Sequence, residues 1–178
     1  MKPIVAALAT LAFALASGKP ASAALAVGAQ APDFTARGAQ GGIIMTVKLS
    51  DLLKKGPVVL YFFPSAFTGG APDESHEFAD NIEKFRAAGA TVLGMSRDTV
   101  ETLARFSTEE CASKFPMASA DESIVNGFDV NDGAMFNTRT TYVIAPSGKI
   151  AFVYENDDYG DHVKKALAFV QAMHQDMH

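Results

Sequence analysis

Along the chain, continuously apolar runs alternate with segments whose apolar residues recur every three or four positions, a pattern that predicts an α/β domain. Val58-Val59-Leu60-Tyr61-Phe62-Phe63 contains no charged residue and is rich in branched and aromatic side chains, as a buried strand should be. The next segment, from about Asp73 to Ala88, places Phe78, Ile82 and Phe85 on one helical face, and Gly89 can end that helix in the left-handed conformation. Thr91 to Met95 reads as another buried strand. Asp98 or Thr99 can then cap a helix that directs Val100, Leu103 and Phe106 toward the core. This strand-helix-strand order implies a parallel central section.

The flanks are patterned differently. Ile43 to Leu49 alternates well enough for an early strand, and Ser50 can cap a short helix through Leu53. Near the other end, Thr141 to Ala145 and Lys149 to Tyr154 flank Pro146-Ser147-Gly148, which predicts an antiparallel hairpin. A last helix, from about Asp161 to Met173, buries Val163, Ala166, Leu167 and Val170.

The first residues change the picture. Lys2 precedes the apolar run Ile4 to Ala16, and Ala21-Ser22-Ala23 follows, which together have the form of a secretory leader cleaved after Ala23. The run is shorter than the roughly 20 residues a membrane-spanning helix needs. The expectation is therefore a leader over 1–23, a single domain over 24–178, and an exported protein, periplasmic in a Gram-negative cell. The whole chain has a net charge of −5, and losing Lys2 and Lys19 makes it more negative. That balance argues against nucleic acid and anionic membrane as partners. Cys111 is the single cysteine, so an intramolecular disulfide is excluded. No Gly-x-Gly-x-x-Gly, phosphate loop, Cys-x-x-Cys or clustered metal ligands occur, and no cofactor is expected.

The most informative segment is Pro64-Ser65-Ala66-Phe67-Thr68-Gly69-Gly70-Ala71. It resembles the Pro-x-x-x-Thr-x-x-Cys loop of the peroxiredoxins, with Ala71 where the peroxide-attacking cysteine belongs. The likeness extends to Val27-Gly28-Ala29-Gln30-Ala31-Pro32-Asp33-Phe34, similar to the family's opening segment, and to Arg139-Thr140-Thr141-Tyr142-Val143-Ile144, similar to the strand bearing the family's active-site arginine. Among its subgroups the chain is most similar to the bacterioferritin-comigratory type. The resemblance implies a thioredoxin-like fold with a central mixed β-sheet flanked by helices, and an ancestral thioredoxin-dependent reduction of hydrogen peroxide and organic hydroperoxides.

On that resemblance, Pro64 shields the reacting position, Thr68 helps to hold peroxide, and Arg139 stabilises negative charge. A guanidinium and a helix N-terminus are groups that favour a thiolate and developing charge. Alanine supplies no nucleophile, and losing one costs on the order of 10⁶ in turnover in a well-studied hydrolase. The expectation is a pocket that still takes peroxide or a small anion, without peroxidase activity, in a protein with a binding or regulatory role. A thioredoxin-like reductant is the partner the family implies. Pro72, where relatives commonly carry threonine, fits the first turn of a helix, and the paired Ala71-Pro72 difference favours natural divergence over a deliberate knock-out.

Other readings remain beside this one. Cys111 is either the remnant of a resolving cysteine, usable in thiol redox chemistry with an external thiol, or a packing residue; Glu109 and Glu110 should raise its pKa, with Lys114 offsetting them in part. Arg139 could instead pair with a carboxylate such as Glu74. Thr68 could cap the following helix or brace the loop. His76, at the site of a resolving cysteine in some relatives, could gather with Asp73 and Glu77 around a metal, and His174 with His178 likewise, but solvated polar roles are the simpler reading.

Overall fold

The computed structural model describes residues 24–176; the expected leader over 1–23 and His178 lie outside the described residues. Seven strands form one sheet in the order β2-β1-β5-β4-β3-β6-β7. At its centre, β3 (Val58–Phe62), β4 (Thr91–Ser96) and β5 (Met117–Ser119) run parallel. Antiparallel strands complete it: β6 (Thr140–Ile144) and β7 (Ile150–Glu155) beyond β3, and β1 (Thr35–Gln40) and β2 (Ile43–Lys48) beyond β5. The expected parallel section and terminal hairpin are both present. The sheet is mixed and carries helices on both faces, the thioredoxin-like arrangement.

Each strand of the centre sends alternate residues into two cores. Val59, Tyr61 and Phe63 meet α2 (Ala71–Ala87), α3 (Val100–Glu109) and α5 (His162–Gln175) on one face. Val58, Leu60 and Phe62 face α1 (Leu49–Leu53), α4 (Glu122–Gly127) and the incoming segment with Ala31 and Phe34 on the other. Since both faces are covered, the strand needs no polar position, which is why its sequence is continuously apolar.

Several boundaries differ from the sequence reading. α2 starts at Ala71 rather than near Asp73, because Pro72 fits the first helical turn, where an amide would have no partner. Gly89 does adopt the left-handed conformation, φ +74°, just past the helix. Thr99, not Asp98, caps α3, its side chain accepting the Thr102 amide. Ser50 is not a cap: α1 begins one residue earlier, at Leu49, and Asp33 Oδ1 accepts the Ser50 amide at 2.9 Å. Cys111 lies just beyond α3, where Ala112 and Ser113 take positive φ.

β1, β5 and α4 were not expected from the pattern. β1 is small and polar, and Gly38 at its centre is there for contact: a Cβ would come within 2.7 Å of both the Met117 carbonyl oxygen and Val47 Cγ2. Its two-residue connection to β2, Gly41-Gly42, has positive φ at both positions, as a tight hairpin turn requires. β5 is three residues long, and α4 is a short helix capped by Asp121, whose side chain accepts the Ile124 amide.

Candidate active site

The site forms where β3 ends and α2 begins. Phe63 closes the strand with its amide on the Met95 carbonyl, and residues 64–70 lead to the first turn of α2. Asp98, just beyond β4, organises this loop. Its carboxylate accepts the Ala66 amide at 2.7 Å, the Ser65 hydroxyl at 3.2 Å and the Ser96 hydroxyl at 2.7 Å. The Asp98 carbonyl in turn accepts the Ser119 hydroxyl at 2.7 Å. With that anchor, Phe67 is held at φ +59°, an uncommon conformation for a residue with a large side chain. Its ring meets Phe106 edge-on at 5.0 Å and lies under the Arg105 guanidinium at 5.2 Å. Strain of this kind persists only where surrounding contacts over-determine the backbone.

The sequence-selected residues converge only in part. Pro64 is half-buried at the start of the loop, and Ala71 is fully buried at the end of it. Thr68 does not cap α2, whose N-cap is Gly70; its hydroxyl donates to the Ser65 carbonyl at 3.1 Å and braces the loop. Arg139, at the entry to β6, forms a buried ion pair with Glu74, one helical turn beyond Ala71. Its Nε donates to the Asp157 carbonyl at 3.2 Å. The pairing with Glu74 is one of the alternatives the sequence raised, and it commits much of the guanidinium to an internal partner.

A histidine that the pattern did not reveal completes this cluster. His162, the first residue of α5, is fully buried, with Nδ1 at 2.8 Å from the Thr141 hydroxyl and Nε2 at 2.9 Å from the Asn156 carbonyl. Its Nδ1 is 3.8 Å from Glu74 Oε1, an oxygen with no hydrogen-bond partner. Burial raises the Glu74 pKa to about 8, and the Arg139 charge opposes that rise without cancelling it. Burial also lowers the His162 pKa, with the Asn156 carbonyl working the other way. The one signal in the sequence was a histidine at the first turn of an otherwise amphipathic helix, and it carried no spacing to tie it to Glu74.

Cys111 has a different environment. It is fully buried among the side chains between α2 and the sheet, and Ser75 hydrogen-bonds its thiol. Burial pushes its pKa up to about 12, Ser75 draws it down, and the Glu110 charge adds to the rise. Ser75 also shares a 2.9 Å hydrogen bond with the Tyr61 hydroxyl. The expected relief from Lys114 is absent, since its ammonium donates to the Ala79 carbonyl. His76 pairs with Glu110 at 2.8 Å, and Asp73 accepts a hydrogen bond from Tyr159.

A mixed sheet with a proline-led loop running into a buried helix start, and an arginine leading into the neighbouring strand, defines the thioredoxin-like thiol-peroxidase class of architecture. The AhpC/TSA family profile matches residues 27–153. The chain is 30% identical over 154 residues to Peroxiredoxin Bcp of Bacillus subtilis, covering 83% of this chain and 96% of the relative. The crystal structure of the peroxidoxin BcpB of Mycobacterium tuberculosis superposes with a TM-score of 0.74 at 31% identity, over 83% of this chain and 97% of that one. PrxQ of Xylella fastidiosa gives a TM-score of 0.75 at 25% identity, over 85% and 98% of the two chains. The protein belongs to the AhpC/TSA family of peroxiredoxins and is similar to its bacterioferritin-comigratory members.

Proposed function

We propose that this chain is a peroxiredoxin-family protein that retains the peroxide pocket while lacking the atom that reacts in it, and that it now serves a binding or regulatory role. The observation that carries this reading is the placement of Ala71: a methyl group occupies the buried start of α2, behind a loop that Asp98 still holds in place. A peroxide or small anion is the ligand that membership of the family suggests for this position. A thioredoxin-like protein is the partner the family suggests. Reduction of peroxide by this family's route forms a sulfur–oxygen bond as the peroxide bond breaks, and the methyl of Ala71 has no lone pair with which to begin it.

The alternative through Cys111 finds less support. A buried thiol with a pKa near 12 holds very little thiolate at neutral pH, and no approach from solvent is open to it. An otherwise competent peroxidase disabled at one position is the remaining reading. Peroxide consumption by residues 24–178 and by its Ala71→Cys variant, under saturating dithiol and with metal removed, tests these readings. Activity in the variant alone identifies an intact pocket deprived of its nucleophile. Inactivity in both overturns the retained pocket, and activity in the unmodified chain overturns the loss of peroxidase chemistry.

Export belongs to the same proposal and rests on the leader-like residues 1–23. Amino-terminal sequencing of protein recovered from the cell envelope should begin at Ala24. Recovery of the intact Met1 form from the cytosol would remove it. Among the described residues no helix is long and apolar enough to cross a membrane.

A further inference from the structure

Residues 24–34 are tied to the β6–β7 hairpin almost from their first residue. The Leu25 amide donates to the hydroxyl of the fully buried Tyr142 at 2.9 Å, and that hydroxyl donates to the Phe128 carbonyl at 2.7 Å. Further along, the Gly28 amide donates to the Ile150 carbonyl at 2.8 Å, the Ile150 amide to the Ala29 carbonyl at 2.9 Å, and the Ala31 amide to the Gly148 carbonyl at 2.9 Å. Ala24 and Leu25 pack half-buried against the core that holds Tyr142, and Ala31 and Phe34 are buried in it. The segment is a strap on the hairpin, fixed at Leu25 and again from Gly28 onward.

The bond between Ala23 and Ala24 stands directly before this strap. A protease takes its substrate as an extended strand several residues long, so the backbone on both sides of the cut has to be free of other partners. On the carboxyl side of this bond the second residue is Leu25, whose amide is already donated and whose side chain is already packed. Cutting a folded chain there requires the strap to open locally, and the rate then follows the population of the open form.

We propose that docking of residues 24–34 closes the leader junction to proteolysis, so that the leader is removed while the strap is still undocked and a chain that folds first retains it. The step itself is hydrolysis: the Ala23–Ala24 peptide bond takes up one water, leaving a carboxylate on Ala23 and an ammonium on Ala24. This inference rests on the reading of 1–23 as a leader cleaved after Ala23. It goes beyond that reading by setting the order of the two events, cleavage before docking, from the spacing between the bond and the first tie.

The test presents the full chain to a leader peptidase in detergent micelles, once after refolding and once at the moment of dilution from urea. Release of the fragment beginning at Ala24 is followed by mass spectrometry. The refolded chain should be cut more slowly by about tenfold or more, the value of at least one tie. A flexible spacer of about eight Gly and Ser residues between Ala24 and Leu25 should restore the faster rate. Tyr142→Phe removes the tie and keeps the ring, and should speed cutting of the refolded chain by about tenfold. It decides the matter if the spacer chain does not fold, as judged by circular dichroism. Equal rates for the refolded and freshly diluted chains overturn the inference, as does a refolded spacer chain that stays slow. A freshly diluted chain that is not cut after Ala23 removes the leader reading instead. The strap is then judged by hydrogen exchange at the Leu25 amide of residues 24–178: slow exchange sustains the tie, and exchange at the rate of an unfolded peptide removes it.

Discussion

Position 71 and position 111 are both fully buried, and they divide between them what a thiol peroxidase keeps in one place. Around Ala71 are a loop fixed by a carboxylate, a helix start and an arginine on the adjacent strand, but no atom able to react. Around Cys111 are aromatic and aliphatic side chains, and the one sulfur that could react is held protonated. The difference teaches that reactivity here depends on surroundings as much as on residue type. A sulfur is useful only where dipoles and cations stabilise its anion, and no cation is among the groups that shift the Cys111 pKa.

The largest effect that can break the comparison is in thiol reactivity. With a pKa near 12 against about 8.5 for a free thiol, Cys111 should hold on the order of a thousandfold less thiolate at pH 7. In the folded, unmodified chain its alkylation should therefore lag a model thiol by at least that factor and recover in denaturant. Rapid labelling in the native state would abolish the contrast.

Next in size is the Glu74–Arg139 pair beneath position 71. Above pH 8, where the Glu74 carboxyl is ionised, Glu74→Ala leaves the guanidinium buried without its carboxylate, a loss of about 3–5 kcal/mol by the usual cost of breaking a buried pair. Urea denaturation of the variant checks this, and a change below about 1 kcal/mol, typical of exposed pairs, would mean that Arg139 is solvated after all.

A smaller signature appears in pH dependence. The Glu74 pKa is raised in the fold, so the stability linked to its protonated form is complete below pH 4.5 and lost as pH rises through about 8. The His162 pKa is lowered, so its contribution is present above pH 6.5 and lost as pH falls below that value. Melting temperatures from pH 5 to 9 should fall toward the alkaline end, and Glu74→Gln should flatten that limb. Equal slopes in the two proteins would show that Glu74 is ionised throughout. Smallest of all, Cys111→Ala should cost roughly 1 kcal/mol for one lost buried group and leave peroxide consumption by an Ala71→Cys chain unaltered. A large fall in that activity would give Cys111 a resolving role and merge the two positions again.

Sequence alone made much of this legible because β3, α2, β4 and α3 carry strong periodicity and cover both faces of the sheet. The loop was legible because proline, threonine and the position of Ala71 fall at characteristic spacings. Arg139 with Glu74 was anticipated as one of two possibilities. What stayed hidden depends on long-range contact. β1 has too little apolar content to announce itself, since its Gly38 exists to let Met117 and Val47 approach. His162 and Tyr159 follow β7 in the chain, yet they lie against Thr141 and Gly70, partners that no local pattern names. Asp98 is one of two helix caps the pattern offers, the other being Thr99; Thr99 takes that role, and the Asp98 carboxylate faces backward to the loop from β3.

The outer strand β2 has a consequence of another kind. Among the described residues it ends the sheet with its far backbone edge unpaired, and Ile43, Ile44 and Met45 stand exposed in succession beside a tight glycine turn. Among its six residues only Lys48 is charged, and it sits at the far end. A strand edge with so little charge and so much apolar surface is a template for intermolecular pairing. A single lysine at position 44 should therefore lower association at high concentration, as read by light scattering.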